Sequence, residues 1–196
     1  MSFDTLTELP ESLIDGLHGG TLAPYTGPGL LTLCAGSTPP ADPVALAAVL
    51  TAKVSVPGKI RNRLTAAAQF IENFKHRQTL VKGMNEAFAV QAVPSPLHHW
   101  LAGLRAPLLV DMWYDDTLRS ALAAASHRVD WAEVQGLSQS EHFGRWTGWY
   151  DAAGTAQPVP IAAPTLLYKP WGGHAPAGNI VDLGISGHDG RHLFAA

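Results

Sequence analysis

Charge is scarce in this chain of 196 residues: Asp, Glu, Lys and Arg together make up 15% of it. Cysteine occurs once, at Cys34. A lone cysteine excludes an internal disulfide and a cysteine-rich zinc site, so no zinc is expected. It fits a reducing, cytoplasmic setting. No apolar run approaches the ~20 residues that span a bilayer, so a membrane partner is not expected. Positive charge is also sparse. The formal net charge is -3, and the thirteen Lys and Arg are scattered apart from Lys59, Arg61 and Arg63. That gives no electrostatic case for nucleic acid. Met1 is followed by polar and acidic residues, which lack the basic start of a signal peptide. No serine sits in a Gly-x-Ser-x-Gly elbow, so a Ser-His-Asp hydrolase is unsupported.

Hydrophobic residues make up 46% of the chain, enough for one sizeable core, and residues 1–196 read as a single domain. Pro10 and Glu11 open a helix over 10–18 that Gly19 and Gly20 stop. A short extended segment follows at 21–25, where Pro24 argues against a fully paired central strand. Residues 34–43 are a Gly/Ser/Pro-rich loop. Asp42 caps a helix over 43–53 with Pro43 just inside it. Pro57 opens a longer helical region whose apolar spacing continues to Phe88, with a break expected near His76. Ser95 caps a helix over 96–104. Residues 107–112 make the best buried strand, and Asp115 and Asp116 cap a helix running to about 125. Strands are expected over 129–134 and 163–169, and a helix over 139–150, although Gly144 and Gly148 weaken it. The stretch 179–196 is an irregular tail interrupted by Gly184, Gly187 and Gly190. Strands alternating with helices indicate an α/β fold with a mainly parallel sheet.

Three apolar runs end in polar, aromatic or glycine residues. They lead into Gly27-Pro28-Gly29, into Asp111 to Asp116, and into Lys169-Pro170-Trp171-Gly172-Gly173-His174. In open α/β sheets ligands sit beyond the carboxyl ends of strands, so these three ends could line one crevice. Glycines let backbone approach a phosphate, but Pro28 removes one amide donor, and a plain surface turn gives the same signature. Asp111 and Asp115 could hold a ribose or position a base, while Asp116 reads as a helix cap. Lys169 could meet a phosphate, and His174 could titrate near neutral pH. A tight loop with a solvated lysine reads the same way. His98 and His99 point apart on a helix. His188, Asp189 and His192 have ligand-like spacing in a glycine-rich tail. Neither group is completed by carboxylates or cysteine, so no metal is expected. Trp131, His142, Phe143, Trp146, Trp149 and Tyr150 form a dense aromatic group. It could wall a nucleotide pocket, offer a partner surface, or pack in a core.

At these strand ends the chain resembles a divergent sirtuin-like domain, a Rossmann-like, three-layer α/β/α family that binds NAD. The family's Gly-Ala-Gly-x-Ser motif corresponds to Gly27-Pro28-Gly29-Leu30-Leu31. Its Thr-Thr/Gln-Asn-x-Asp motif corresponds to Asp111-Met112-Trp113-Tyr114-Asp115. Its prokaryotic Lys-x-His-Gly motif corresponds to Lys169-Pro170-Trp171-Gly172. The likeness runs from about Leu17 to Gly178. It implies NAD or ADP-ribose as ligand, held by Gly27, Gly29, Asp115, Lys169 and Gly172. The catalytic Asn and His of the family are Trp113 and Trp171 here, and indole cannot act as a general base. Relatives continue past the lysine motif with further strands and helices, which the resemblance makes short or truncated in this chain.

The resemblance implies a catalytically degenerate domain that works as a nucleotide-binding or protein-interaction module. Two alternatives stay open. One is an active NAD glycohydrolase or ADP-ribosyl-transferring enzyme in which Asp111 or His174 replaces the missing groups. The other is a structural, partner-binding domain with no nucleotide, its crevice filled by Pro28 and the two tryptophans.

Overall fold

Strand register decides where the polar residues of this chain meet. The structure is a computed structural model that describes residues 10–36, 38–125 and 130–181. The strands are β1 (Tyr25–Thr26), β2 (Leu108–Asp111), β3 (Trp131–Gly136), β4 (Thr147–Asp151), β5 (Ala156–Gln157), β6 (Thr165–Lys169), β7 (Gly172–Gly173) and β8 (Asn179–Ile180). The α-helices are α1 (Glu11–His18), α2 (Pro43–Lys53), α3 (Leu64–Lys75), α4 (Arg77–Ala87), α5 (Pro96–Gly103) and α6 (Thr117–Ala124). The first six strands form one sheet in the order β1-β2-β6-β3-β4-β5. Its first four members run parallel, and β4 and β5 add an antiparallel edge. The result is a mixed α/β fold with a mostly parallel central sheet, consistent with a Rossmann-like arrangement.

Local chemistry sets the helix ends. The Asp42 carboxylate accepts from the backbone N–H groups of Val44 and Ala45, both at 2.8 Å, and Pro43 occupies the first turn. Ser95 forms a capping box with His98, whose ring takes the part usually played by Glu or Gln. The break expected near His76 falls on that residue. Its φ of 73° separates α3 from α4.

Two apolar clusters hold the molecule. Leu17 of α1, Leu101 of α5 and Leu118 and Leu122 of α6 pack on Leu109, Trp131 and Leu167, which lie on one face of the sheet. Leu46, Leu50, Ile71, Leu80 and Met84 of α2, α3 and α4 pack with Phe88, Trp113 and Tyr114. Each such fully buried side chain contributes about 1.5–3 kcal/mol against its exposed state. Val110, Val134, Leu166, Tyr168 and Trp149 alternate onto the other face and belong to neither cluster. Val134 and Ala132 are nevertheless buried on that face.

Three expectations are corrected. Residues 139–150 are not a helix. A turn is followed by β4, in which Gly148 and Tyr150 point inward and Thr147, Trp149 and Asp151 outward. The strand buried throughout is β3, not β2, whose Leu108 is exposed. Asp116 stands at the start of α6 but makes no capping hydrogen bond, and Asp115 Oδ1 accepts from Thr117 N–H at 2.9 Å instead. Of the proposed tail, Asn179 and Ile180 pair with Gly173 and Gly172. His188, Asp189 and His192 lie outside the described residues.

Candidate functional site at the carboxyl edge of the sheet

The parallel pairing places the three strand ends side by side. Thr26 lies opposite Asp111, Val110 opposite Tyr168, and Gln135 opposite Lys169. Side chains alternate along a strand, so the face that buries Leu109 and Leu167 lower down presents Asp111 and Lys169 at the edge. On this face β2 changes from Leu109 to Asp111 and β6 from Leu167 to Lys169 at the last position, while β3 is already polar at Glu133 and Gln135.

Lys169 is fully buried. Its ammonium donates to Asp111 Oδ2 at 2.8 Å and to the Asp115 carbonyl at 2.5 Å. Asp111 Oδ1 accepts from Trp113 N–H at 3.3 Å, and the Thr26 hydroxyl lies 3.4 Å from it and 3.1 Å from the Val110 carbonyl, sharing one proton between the two. The three motifs are thus joined by one chain of hydrogen bonds from Thr26 through Asp111 to Lys169. Beside it, buried Glu133 takes Arg119 Nε at 2.8 Å and Gln135 Nε2 at 2.6 Å. Asn179 bridges Gln135 Oε1 and the Tyr150 hydroxyl. Asp116 Oδ1 accepts from Ala175 N–H at 3.0 Å and pins the loop after β7.

Four carboxylates, Asp111, Asp115, Asp116 and Glu133, share this buried region with the cations Lys169 and Arg119. The excess of negative charge has a consequence for titration. Burial pushes the Asp111 carboxyl up to about 6, and Lys169 offsets only part of that. Burial also raises Asp116 and Glu133. Burial alone would lower Lys169, but Asp111, Asp115 and Glu133 outweigh it and keep the ammonium charged. A lysine held in this way stabilises charge and does not exchange protons near neutral pH.

A recess of about 10 Å³ opens beside the chain, lined by Thr26, Gly27, Leu30, His98, Asp111, Asp115 and Leu118. That is room for about one water. Ser95 N–H donates to His98 Nδ1 at 3.2 Å, so the neutral ring carries its proton on Nε2. Burial lowers the His98 pKa, against the pull of Asp115, and the ring is neutral at pH 7.

Gly27, Asp111 and Asp115 therefore meet at one recess. Neither Gly27 nor Gly29 has a neighbour within 4 Å of where a Cβ would stand, and Gly27 has an extended backbone that any residue adopts. Their lack of a side chain leaves the turn open to an approaching group. Gly172 has a different role. Its φ is +77°, and a Cβ would stand 2.0 Å from the Asn179 carbonyl, so it allows the β7–β8 turn to close. Lys169 faces Asp111 and the Asp115 carbonyl, not the glycine turn. His174 donates its backbone N–H to the Tyr114 carbonyl beside Asp116 and does not line the recess.

Trp113 and Trp171 join the apolar cluster that also holds Leu31, four residues after Gly27, and neither comes within 4 Å of where a Cβ of Gly27 or Gly29 would stand. Trp113 is buried against Phe88 and Tyr114, and its indole N–H donates to the Pro40 carbonyl at 2.8 Å. Trp171 packs against the same apolar cluster. The aromatic group from the sequence divides. Trp131 lies under α6 with Arg119 over its ring, Tyr150 is buried, and Phe143 and Trp146 are exposed.

Reading the sequence missed Thr26, Glu133 and Gln135, and weighed His98 only as a metal ligand. The signal for Glu133 and Gln135 was a charged and an amide side chain inside an apolar strand, where an unpartnered polar group costs several kcal/mol. Among the described residues no group of three or more His, Cys, Asp or Glu is arranged to hold a metal ion, and no helix is long and apolar enough to cross a membrane. No family model matches the chain, and no curated protein is significantly similar to it.

Proposed function

We propose that this chain is a sirtuin-like α/β domain that no longer cleaves NAD and acts as a binding module through the carboxyl edge of its sheet. One observation carries the reading. The three motifs sit on adjacent parallel strands, linked from Thr26 through Asp111 to Lys169, while the two positions where the resemblance puts reacting groups hold Trp113 and Trp171 in an apolar cluster. A domain that keeps the frame of a site and replaces its acid–base groups with indole retains binding and loses proton transfer.

NAD or ADP-ribose is the ligand proposed. The Gly27–Gly29 turn fits a diphosphate, since both glycines leave their outer side clear. Asp115, on the recess wall, is the acceptor for a ribose hydroxyl. The recess itself does not fit a nucleoside: about 10 Å³ is far below the ~300 Å³ of small-molecule pockets. The base must therefore lie outside it. Lys169 acts in this reading as the post that fixes Asp111 and the Asp115 backbone, and not as a phosphate ligand.

Titration of the chain with ADP-ribose in a calorimeter, alongside Gly27→Val, tests this. Saturable binding by the parent chain, at least tenfold weaker in the variant, supports the site. Equal affinity in both rules it out. The small recess favours a second reading, a partner-binding domain with no nucleotide, and absence of binding at millimolar ADP-ribose would select it. The reading as an active enzyme draws less support. His174 lies away from the recess, and Asp111 is held by Lys169.

A further inference from the structure

The recess beside Gly27 presents one hydrogen-bond donor and one acceptor that the fold leaves without partners. Its wall carries four polar side chains, Thr26, His98, Asp111 and Asp115. Two of them are fully engaged. The Thr26 hydroxyl shares its proton between the Val110 carbonyl and Asp111 Oδ1. Asp111 Oδ1 also accepts from Trp113 N–H, and its Oδ2 accepts from Lys169. The other two are engaged at one atom only. Ser95, through its N–H and its hydroxyl, occupies His98 Nδ1 and leaves Nε2–H as the polar atom the ring can turn to the recess. Thr117 N–H occupies Asp115 Oδ1 and leaves Oδ2. Neither His98 Nε2 nor Asp115 Oδ2 has a hydrogen-bond partner among the described residues, although His98 is only 2% exposed and Asp115 6%. A buried polar group left unpaired in this way is costly unless something else meets it. The two are not bonded to each other, yet the carboxylate is near enough to pull the ring toward its charged form.

On the nucleotide reading, on which this rests, we infer that the recess is a socket for one ribose hydroxyl, with His98 Nε2–H donating to its oxygen and Asp115 Oδ2 accepting its proton. Size sets the first limit. About 10 Å³ takes a group no larger than a water, which a hydroxyl is and a base, a phosphate or a carboxylate is not. Charge sets the second. An anionic oxygen would suit His98 but be repelled by Asp115 and Asp111. An ammonium would suit Asp115 but meet the N–H of His98. A hydroxyl donates and accepts at once and satisfies both sides. Position sets the third. Gly27 lines the recess and also opens the turn proposed for the diphosphate, so the hydroxyl comes from a ribose joined directly to that diphosphate. His98 is therefore a specificity-determining residue as well as the capping partner of Ser95. A site built to hydrogen-bond a hydroxyl rejects a ligand that lacks it, because its own polar atoms are then left unpaired.

The test follows His98 itself while the full chain is titrated with ADP-ribose. The variant is His98→Gln, because glutamine is a usual partner of serine in a capping box and keeps the start of α5 closed. Urea unfolding confirms that the variant is folded. In the chain labelled with ¹⁵N-histidine, the ring should carry its proton on Nε2 before ligand is added. The Nε2–H resonance, assigned by its absence in His98→Gln, should shift with the same midpoint as the heat of binding. Affinity should fall about tenfold in the variant, the loss of one hydrogen bond. Equal affinity in both chains with an unmoved resonance would mean that a water keeps the recess, which defeats the inference and leaves the nucleotide reading standing. A weaker variant with an unmoved resonance would confine His98 to its capping role and defeat it as well. So would a ring that carries its proton on Nδ1, whatever the ligand does. No binding of ADP-ribose by the parent chain would overturn the nucleotide reading, and the socket with it.

Discussion

Asp111→Asn is the substitution that separates charge from shape at the carboxyl edge. The amide is nearly isosteric with the carboxylate, but only its oxygen accepts, so it can keep Lys169 or the Trp113 N–H and turns its NH2 toward the other donor. What it removes is one negative charge from a region that holds four carboxylates against Lys169 and Arg119. Burial raises the Asp111 carboxyl from 3.8 to about 6 in the folded chain. The folded state therefore binds a proton that the unfolded chain has already released, and stability falls as pH rises through the window from about 4 to 6. The full effect, from below the lower value to above the upper, is about 3 kcal/mol at 1.36 kcal/mol per pH unit. Between pH 7.5 and 5.0 the wild-type chain gains about 1.4 kcal/mol from this group alone, since pH 5.0 lies about one unit below the folded value. Asp111→Asn lacks that gain. Urea unfolding of both chains at the two pH values measures the difference directly. The stability of wild type relative to the variant should rise by about 1.4 kcal/mol on going to pH 5.0. A difference that stays constant would refute the raised carboxyl. A difference of opposite sign would mean that Lys169 lowers Asp111 below its ordinary value and that the excess of buried carboxylates has another partner.

Lys169→Met should cost about 3–5 kcal/mol in urea unfolding at pH 7.5, because it leaves Asp111 buried without its cation. Part of that loss should return at pH 5.0 as the carboxyls protonate. Gly27→Ala should leave stability unchanged or raise it by about 0.4–1 kcal/mol, since its extended backbone suits alanine and the Cβ meets nothing within 4 Å. Gly136→Ala should prevent folding, seen as loss of near-ultraviolet circular dichroism, because its Cβ would stand 1.9 Å from the Pro170 carbonyl. Asp42→Ala should cost about 1 kcal/mol in thermal or urea unfolding through loss of the two cap hydrogen bonds of α2.

Helix ends were the most legible part of the sequence, because a cap is a local interaction. Asp42 with Pro43 and Ser95 with Pro96 mark α2 and α5 to the residue. The parallel strands were legible as apolar runs, but their order was not. That β6 lies between β2 and β3 follows from long-range pairing that no local spacing encodes. Residues 139–150 misled for a physical reason. Trp146, Trp149 and Tyr150 suggest an apolar helical stripe, yet the segment obeys a period of two, with Gly148 and Tyr150 inward. At the site, Asp111, Asp115 and Gly27 were recognised from their place after apolar runs, and the structure brings them to one recess. The tie between Asp111 and Lys169 was hidden, because a lysine at a strand end reads as solvated. Only the register that sets it between Asp111 and Gln135 shows that it is buried. His98 was weighed as a metal ligand and emerges as a capping residue of α5 that also lines the recess.

The most direct measurement is incubation of the purified chain with NAD, following heat of binding and free nicotinamide in the same samples. The account predicts saturable binding with no nicotinamide released above the buffer control. Steady release that is abolished by Asp115→Ala would contradict it and would mean that an acid–base group other than the two positions now held by Trp113 and Trp171 completes an active site.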